Sequence, residues 1–129
     1  MQTNDQFLTE LRPNIPQATT NVNTTPVETF QNQTLRPILK FLNFTILETV
    51  MHHMTRFNKN FDQLTEIKKR EEVVTALNKN QHIRYTLLGQ VQGFLTQEEL
   101  SIFFNNASEY HKRINQMIEQ RVLDGLFNN

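Results

Sequence analysis

Cysteine is absent from the 129-residue chain. Its absence excludes disulfide bonds, a thiol nucleophile and thiolate ligands for a metal ion, and it fits a reducing compartment. A chain of this length can bury a core without disulfide or metal crosslinks. We therefore expect one domain that is stabilised by packing alone.

Neither sign of charge is in excess, since 13 Lys and Arg balance 13 Asp and Glu. No global field therefore attracts the protein to nucleic acid or to an anionic membrane. No uninterrupted apolar stretch approaches the roughly 18 residues of a membrane span, and no basic segment followed by an apolar one opens the chain. We expect a cytoplasmic protein that does not contact a membrane.

Recognisable reaction centres are also lacking. No glycine-rich loop precedes a helix, and Ser101 and Ser108 lie in no nucleophile elbow. His52 and His53 are adjacent and would point about 100° apart on a helix, while Glu48 and His52 are not part of a repeated Glu-x-x-His motif. We predict surface or helix-capping histidines, and no catalytic residue, metal site or cofactor. An enzyme of unrecognised class stays open as a second alternative.

The longest apolar stretch that fits a helix runs from Thr34 to Phe57. Its apolar side chains cover more than one face, so other elements must pack against several sides of it. Pro37 is compatible with the first turn of a helix, where its missing N–H would have no intrahelical acceptor. This helix is predicted to begin near Thr34 and to lie at the centre of the fold.

The remainder of the chain repeats the helical period. We predict helices over about 65–78, from about Asn80, after Thr96 and from Asn106 to about Leu126, and Thr96 with Glu99 forms a capping box. No segment alternates as strands do. The core-facing side chains predicted for the first, second and last of these helices are Ile67, Val73, Val74, Leu77, Ile83, Leu87, Leu88, Val91, Phe94, Leu95, Tyr110, Ile114, Met117, Ile118, Val122 and Leu126. The fold class is all-α: a compact bundle of four to five helices around a central apolar helix, with an extended or mobile N-terminal arm.

Two glycines, Gly89 and Gly93, fall inside or near the end of the helix that begins at about Asn80. A glycine inside a helix costs about 1 kcal/mol relative to alanine. We therefore expect close approach of a neighbouring helix backbone at these positions.

Residues 1–33 differ in composition from the rest and are assigned to an arm and linker, with the helical domain over 34–129. Thr3 and Gln6 could cap a short helix over 4–11, followed by a polar, proline-rich stretch without helical period. Phe7, Leu8 and Leu11 are candidates for a docking arm that contacts the bundle, a second subunit or a partner. The alternative is a frayed terminus.

The segments QNQTLRPILKFLN, HIRYTLLGQVQGFLTQEEL and NASEYHKRINQMIEQR, within Gln31 to Arg121, resemble a set of small helical bacterial proteins without assigned function. Some members of that set are labelled glyoxalase. A glyoxalase places its His and Glu metal ligands on paired βαβββ modules, which this helical pattern does not provide. The resemblance implies an all-helical fold and no particular functional residues.

The sequence favours a non-enzymatic interaction or regulatory module that binds a protein partner or self-associates. The alternative is a nucleic-acid-binding protein that uses a local basic patch. The basic residues for nucleic acid would be Arg56, Lys59, Lys68, Lys69, Arg70, Lys79 and Arg84, with Lys112 and Arg113. A candidate polar or basic binding patch consists of His82, Arg84, Lys112 and Arg113. Glu98 and Glu99 follow the FLTQ turn, where the recognition helix of a helix-turn-helix would approach phosphates, and this disfavours nucleic acid.

Overall fold

The computed structural model describes residues 4–14 and 24–127, and every regular element within them is helical, so the predicted all-α class is confirmed. Thr3 and much of the predicted linker lie outside the described residues. The helices are α1 (Asn4–Glu10), α2 (Pro26–Phe30), α3 (Arg36–Phe41), α4 (Asn43–Phe57), α5 (Glu66–Lys79), α6 (Gln81–Gln92), α7 (Gln97–Asn105) and α8 (Ala107–Phe127). A π-helical turn, Gln31–Leu35, joins α2 to α3, and a 3-10 turn, Phe61–Gln63, lies between α4 and α5.

Side-chain caps fix where four of these eight helices begin. Thr25, Thr65 and Asn80 accept hydrogen bonds from backbone N–H groups in the first turns of α2, α5 and α6. Thr96 and Glu99 make both bonds of the predicted capping box at the start of α7. Each cap satisfies N–H groups that have no intrahelical acceptor, which is why polar residues at these positions mark helix starts in the sequence.

Helical structure begins before Thr34, which corrects the predicted start of the long apolar helix. The backbone is helical from Pro26 through α3, and Phe30 is buried against the ring of Tyr110, with the centroids 4.8 Å apart. Pro37 therefore lies inside continuous helical backbone, preceded by the π-turn. A proline ring clashes with the carbonyl four residues earlier, and the wider π-turn accommodates this clash without ending the helix. The stretch 26–33 is thus helical and not part of an extended or mobile linker.

The apolar stretch Thr34–Phe57 is divided at Leu42 instead of forming one α-helix. Leu42 has φ −85° and ψ 3°, outside the α-helical region, and separates α3 from α4. Its N–H still donates to the carbonyl of Ile38 at 2.9 Å, and its carbonyl accepts from the N–H of Ile46 at 2.8 Å. The hydrogen-bonded chain therefore continues through the irregularity.

The core lies where α4, α6 and α8 contact one another, with α5 and α7 also against α8. Most side chains predicted to face inward are buried there, including Ile83, Val91 and Ile114. Ile67 is a wrong prediction, because it is 72% exposed while Val73 on the same helix is fully buried. Two apolar stripes fit α5 equally well by periodicity, and packing against α8 selects the stripe that contains Val73.

The predicted close approach at Gly89 and Gly93 is also wrong. A Cβ added at Gly89 would meet nothing within 4 Å, and at Gly93 it would meet only carbonyls of the preceding turn. The close contact is at Gly125, where an added Cβ would lie 2.8 Å from a methyl carbon of Leu47. Across the described ranges, no helix combines the length and apolar character that crossing a membrane requires.

Candidate functional site, a basic groove beside helix α8

The four residues of the predicted binding patch lie in different places in the structure. Arg84 donates to the carbonyl of Asn78 at 3.5 Å and lines a small cavity, whereas the ring of His82 lies 6.3 Å from that of His53. Arg113 donates to Gln31 on the other side of α8. The fourth member, Lys112, is exposed on α8. These four residues therefore do not line one common cavity.

The segment that follows the predicted docking residues contacts the bundle through the Arg12 side chain. Both terminal nitrogens of the Arg12 guanidinium donate to the Glu99 carboxylate, at 2.8 and 2.6 Å, and one also donates to the carbonyl of Phe94 at 2.7 Å. Phe7 and Leu11 remain 52% and 48% exposed, and Leu8, the third predicted docking residue, is half-buried. A partner 87 positions away gives no local signal, so the sequence pattern did not reveal the Arg12–Glu99 pair.

A larger concave surface, which we call the basic groove, lies between α8 and the segment from the π-turn to the start of α4. Its volume is about 780 Å³. The residues that line it are Gln31, Arg36, Lys40, Asn43, Arg113, Gln116, Met117, Gln120, Arg121, Asp124 and Gly125. Four of these side chains are basic and one is acidic, so the groove is positive although the chain as a whole is neutral.

Helical spacing places the basic side chains along both walls of the groove. Arg36 and Lys40 are four residues apart on α3, and Arg113 and Arg121 are eight apart on α8. Residues at such spacings share one side of a helix. Two turns of α8 separate Arg113 from Arg121, a rise of about 12 Å. The groove is thus long enough to contact several groups of one extended ligand.

Hydrogen bonds hold two of the four cations in place. Arg113 donates to Glu109 at 2.9 Å and to the Gln31 amide oxygen at 2.8 Å, so its charge is partly neutralised. Arg121 donates to the Asn43 amide oxygen at 3.2 Å. This acceptor is neutral, so it orients the guanidinium without neutralising its positive charge. Arg121 is therefore pre-positioned in the groove wall.

Like charge accumulates at the end of the groove near Arg121. Burial, and after it the neighbouring Arg36 guanidinium, lowers the pKa of Arg121, and arginine nevertheless stays charged at neutral pH. No carboxylate in the described ranges forms an ion pair with Arg36, Lys40 or Arg121. An anion placed between Arg36 and Arg121 would relieve their repulsion, and guanidinium groups bind carboxylates and phosphates in bidentate geometry.

Within the described residues, no three His, Asp or Glu side chains are grouped as metal ligands. His53 departs from the prediction of a surface or capping histidine, since it is only 7% exposed. It follows Ile46 by seven positions on α4, so its burial could have been expected from the apolar stripe.

Comparison with known proteins finds no matching family model, no matching curated protein and no matching solved structure. The resemblance to small helical bacterial proteins therefore stays a prediction.

Proposed function

We propose that the protein is a non-catalytic helical interaction module that binds an acidic segment of a partner protein in the basic groove. The observation that supports this is the grouping of Arg36, Lys40 and Arg121 without an ion-paired carboxylate among the described residues. Grouped cations repel one another, and a partner with negative charge would relieve that repulsion when it binds.

The dimensions of the groove suit a short extended peptide. The rise of about 12 Å between Arg113 and Arg121 corresponds to about four residues of extended chain, at about 3.3 Å each. Side chains on one side of such a peptide recur about every 6.6 Å, so two or three carboxylates could meet guanidinium groups at once. The amide of Gln116 can donate to a peptide carbonyl between them, whereas the amide of Gln120 donates to the Asp124 carboxylate at 3.1 Å.

Acidic protein is favoured over nucleic acid by two features of the surface. Among the residues that the structure describes, no aromatic side chain lines the groove, whereas single-stranded nucleic acid is usually held by stacking of bases on aromatic rings. The rest of the molecule adds no net positive charge to extend the contact to further phosphates. Nucleic-acid binding is therefore the alternative outcome of the test below.

The proposal is tested by fluorescence anisotropy with a labelled hepta-glutamate peptide and a labelled mixed-sequence single-stranded DNA of about the same charge. The double variant Arg36→Gln/Arg121→Gln should weaken peptide binding about tenfold or more, because both bidentate contacts are lost. The matched control Lys59→Gln/Arg70→Gln removes the same charge from exposed positions and should change binding less than about twofold. Raising the salt concentration should weaken the wild-type complex.

Two results would contradict the proposal. Equal weakening by both double variants would show that only overall charge matters. Tighter binding of the DNA than of the peptide, lost in the groove variant, would assign the groove to nucleic acid. Sedimentation of the unlabelled protein in the same buffers would show whether a second copy is the partner.

A further inference from the structure

A second cavity, separate from the basic groove, lies between the C-terminal half of α4 and that of α5. We call it the imidazole pocket, because His53 forms part of its wall. Its volume is about 330 Å³, at the lower end of the range for small-molecule sites. Met54 and Phe57 line it from α4, and Ala76 and Lys79 line it from α5.

His53 is a buried polar side chain without a protein partner. Only 7% of its surface is exposed, and within the described ranges no protein group hydrogen-bonds to the imidazole. The imidazole forms part of the pocket wall, so a ligand in the pocket can hydrogen-bond to it in place of water.

The imidazole is neutral at physiological pH. Burial lowers the pKa of His53, and the neighbouring His82 and His52 lower it further. A neutral imidazole has one N–H donor and one acceptor nitrogen. It can therefore bond to a hydroxyl group, which also donates and accepts.

The other walls of the pocket indicate what the body of a ligand would be. Met54 and Ala76 are apolar, and the Phe57 ring lies 4.9 Å from the His53 ring while 65% of its surface stays exposed. The Arg56 guanidinium lies over the Phe57 ring, 5.6 Å from its centroid, and the part of the phenyl ring that stays exposed beside the apolar wall offers a surface for a flat ring. Lys79 supplies a single ammonium group, and Glu72, which also lines the pocket, opposes a second negative charge.

We infer that the imidazole pocket binds a small planar aromatic monocarboxylate that carries a hydroxyl group. Its ring packs on Phe57 and Met54, its carboxylate contacts Lys79, and its hydroxyl hydrogen-bonds to His53. This inference is independent of the basic groove, which lies beside α8 and shares no lining residue with the imidazole pocket.

The experiment is an NMR titration of the ¹⁵N-labelled full-length protein with 4-hydroxybenzoate. We expect amide shifts at residues of the imidazole pocket and a Kd of about 1 mM or tighter, as suits a ligand of this size. Cyclohexanecarboxylate keeps the charge without the planar ring, and 4-hydroxybenzamide keeps the ring without the charge. Each should bind at least about fivefold more weakly, since each loses one of the contacts.

Variants locate the site. Lys79→Gln, at an exposed position, and His53→Leu should each weaken binding at least about fivefold, while Lys112→Gln on α8 should leave it unchanged. Because Lys79→Gln changes only a surface charge, it keeps the test valid if His53→Leu disturbs packing. The inference would be overturned if 4-hydroxybenzoate shifted no resonance of the pocket, if the cyclohexane acid bound equally well, or if Lys79→Gln bound as tightly as the wild type.

Discussion

Gly125 in α8 is closely packed against α4, whereas Gly89 in α6 has open space around it. Comparing alanine substitutions at the two positions tests how closely α8 packs against α4. A Cβ at Gly125 would lie 2.8 and 2.9 Å from the two methyl carbons of Leu47, whereas a Cβ at Gly89 would meet nothing within 4 Å. Both positions gain about 1 kcal/mol of helix propensity on change to alanine. Only Gly125→Ala also requires Leu47, which packs against the core, to move.

We therefore expect Gly89→Ala to raise the free energy of unfolding by about 1 kcal/mol. The free energy of unfolding of Gly125→Ala should be at least about 1 kcal/mol lower than that of Gly89→Ala. Urea denaturation of both variants measures the difference. Equal stabilisation of the two would show that Leu47 rotates away without cost, and that the contact between α4 and α8 is looser than described.

Among the helices, those with polar caps and a single apolar stripe were predictable from the sequence. α5 to α8 begin within about one residue of their predicted starts, and α5 and α8, whose ends were also predicted, end within about one residue of them. A capping side chain precedes α5, α6 and α7, and all four helices have a regular apolar period. α2 was missed, since a five-residue helix has too few turns to show a period. Its Phe30 is buried only because Tyr110, far along the chain, covers it.

The candidate site was predictable only in part, and for a similar reason. The four-residue spacing of Arg36 and Lys40 places them on one side of α3, but their position opposite Arg121 depends on how α3 packs near α8. Arg113 was the only member of the predicted patch that lines the basic groove. Which sides of two helices oppose each other depends on tertiary packing, and the periodicity of a single sequence does not specify it.

Two N-terminal deletions separate the contributions of α1 and α2. Removing residues 1–23 eliminates the Arg12–Glu99 pair, which is only partly buried, and should cost about 1–2 kcal/mol of unfolding free energy. Removing residues 1–30 also eliminates Val27 and Phe30, which pack on the core, and should cost about 3 kcal/mol more. Chemical denaturation of both proteins gives the values.

Phe30→Ala in the full-length chain is the matched control, and it should cost about 3 kcal/mol by itself. If the 1–30 deletion were as stable as the 1–23 deletion, α2 would be dispensable, and the domain would begin near residue 34 as the sequence analysis proposed.

For the molecule as a whole, His53 links stability to pH. Its pKa is lowered in the folded protein relative to the ordinary value of 6.5. Below about pH 6.5, His53 is therefore protonated more readily in the unfolded chain than in the folded protein. The stabilisation is complete above that pH and declines as the pH falls towards the folded-state pKa, with a slope of at most about 1.4 kcal/mol per pH unit for one proton.

Urea denaturation at about pH 7.5 and about pH 5.5 should therefore show lower stability at the acidic value, and His53→Leu should reduce the difference. His111→Gln, which leaves His53 in place, should retain it. The lowered pKa of Glu99 acts in the same direction, but only below its ordinary value of 4.5, so it contributes little in this range. An unchanged difference in His53→Leu would assign the acid sensitivity to another group.

The π-turn at Gln31–Leu35 has a consequence for sequence change in this protein. A π-turn contains one more residue per hydrogen-bonded loop than an α-turn, so deleting a single residue, such as Gln33, would leave a chain that could form uninterrupted α-helix. The shorter connection would rotate α2 by about 100° relative to α3 and carry Phe30 away from Tyr110. The number of residues in the π-turn is therefore as constrained as residue identity is in the core. A natural variant that lost one residue here would need a different side chain to fill the space beside Tyr110.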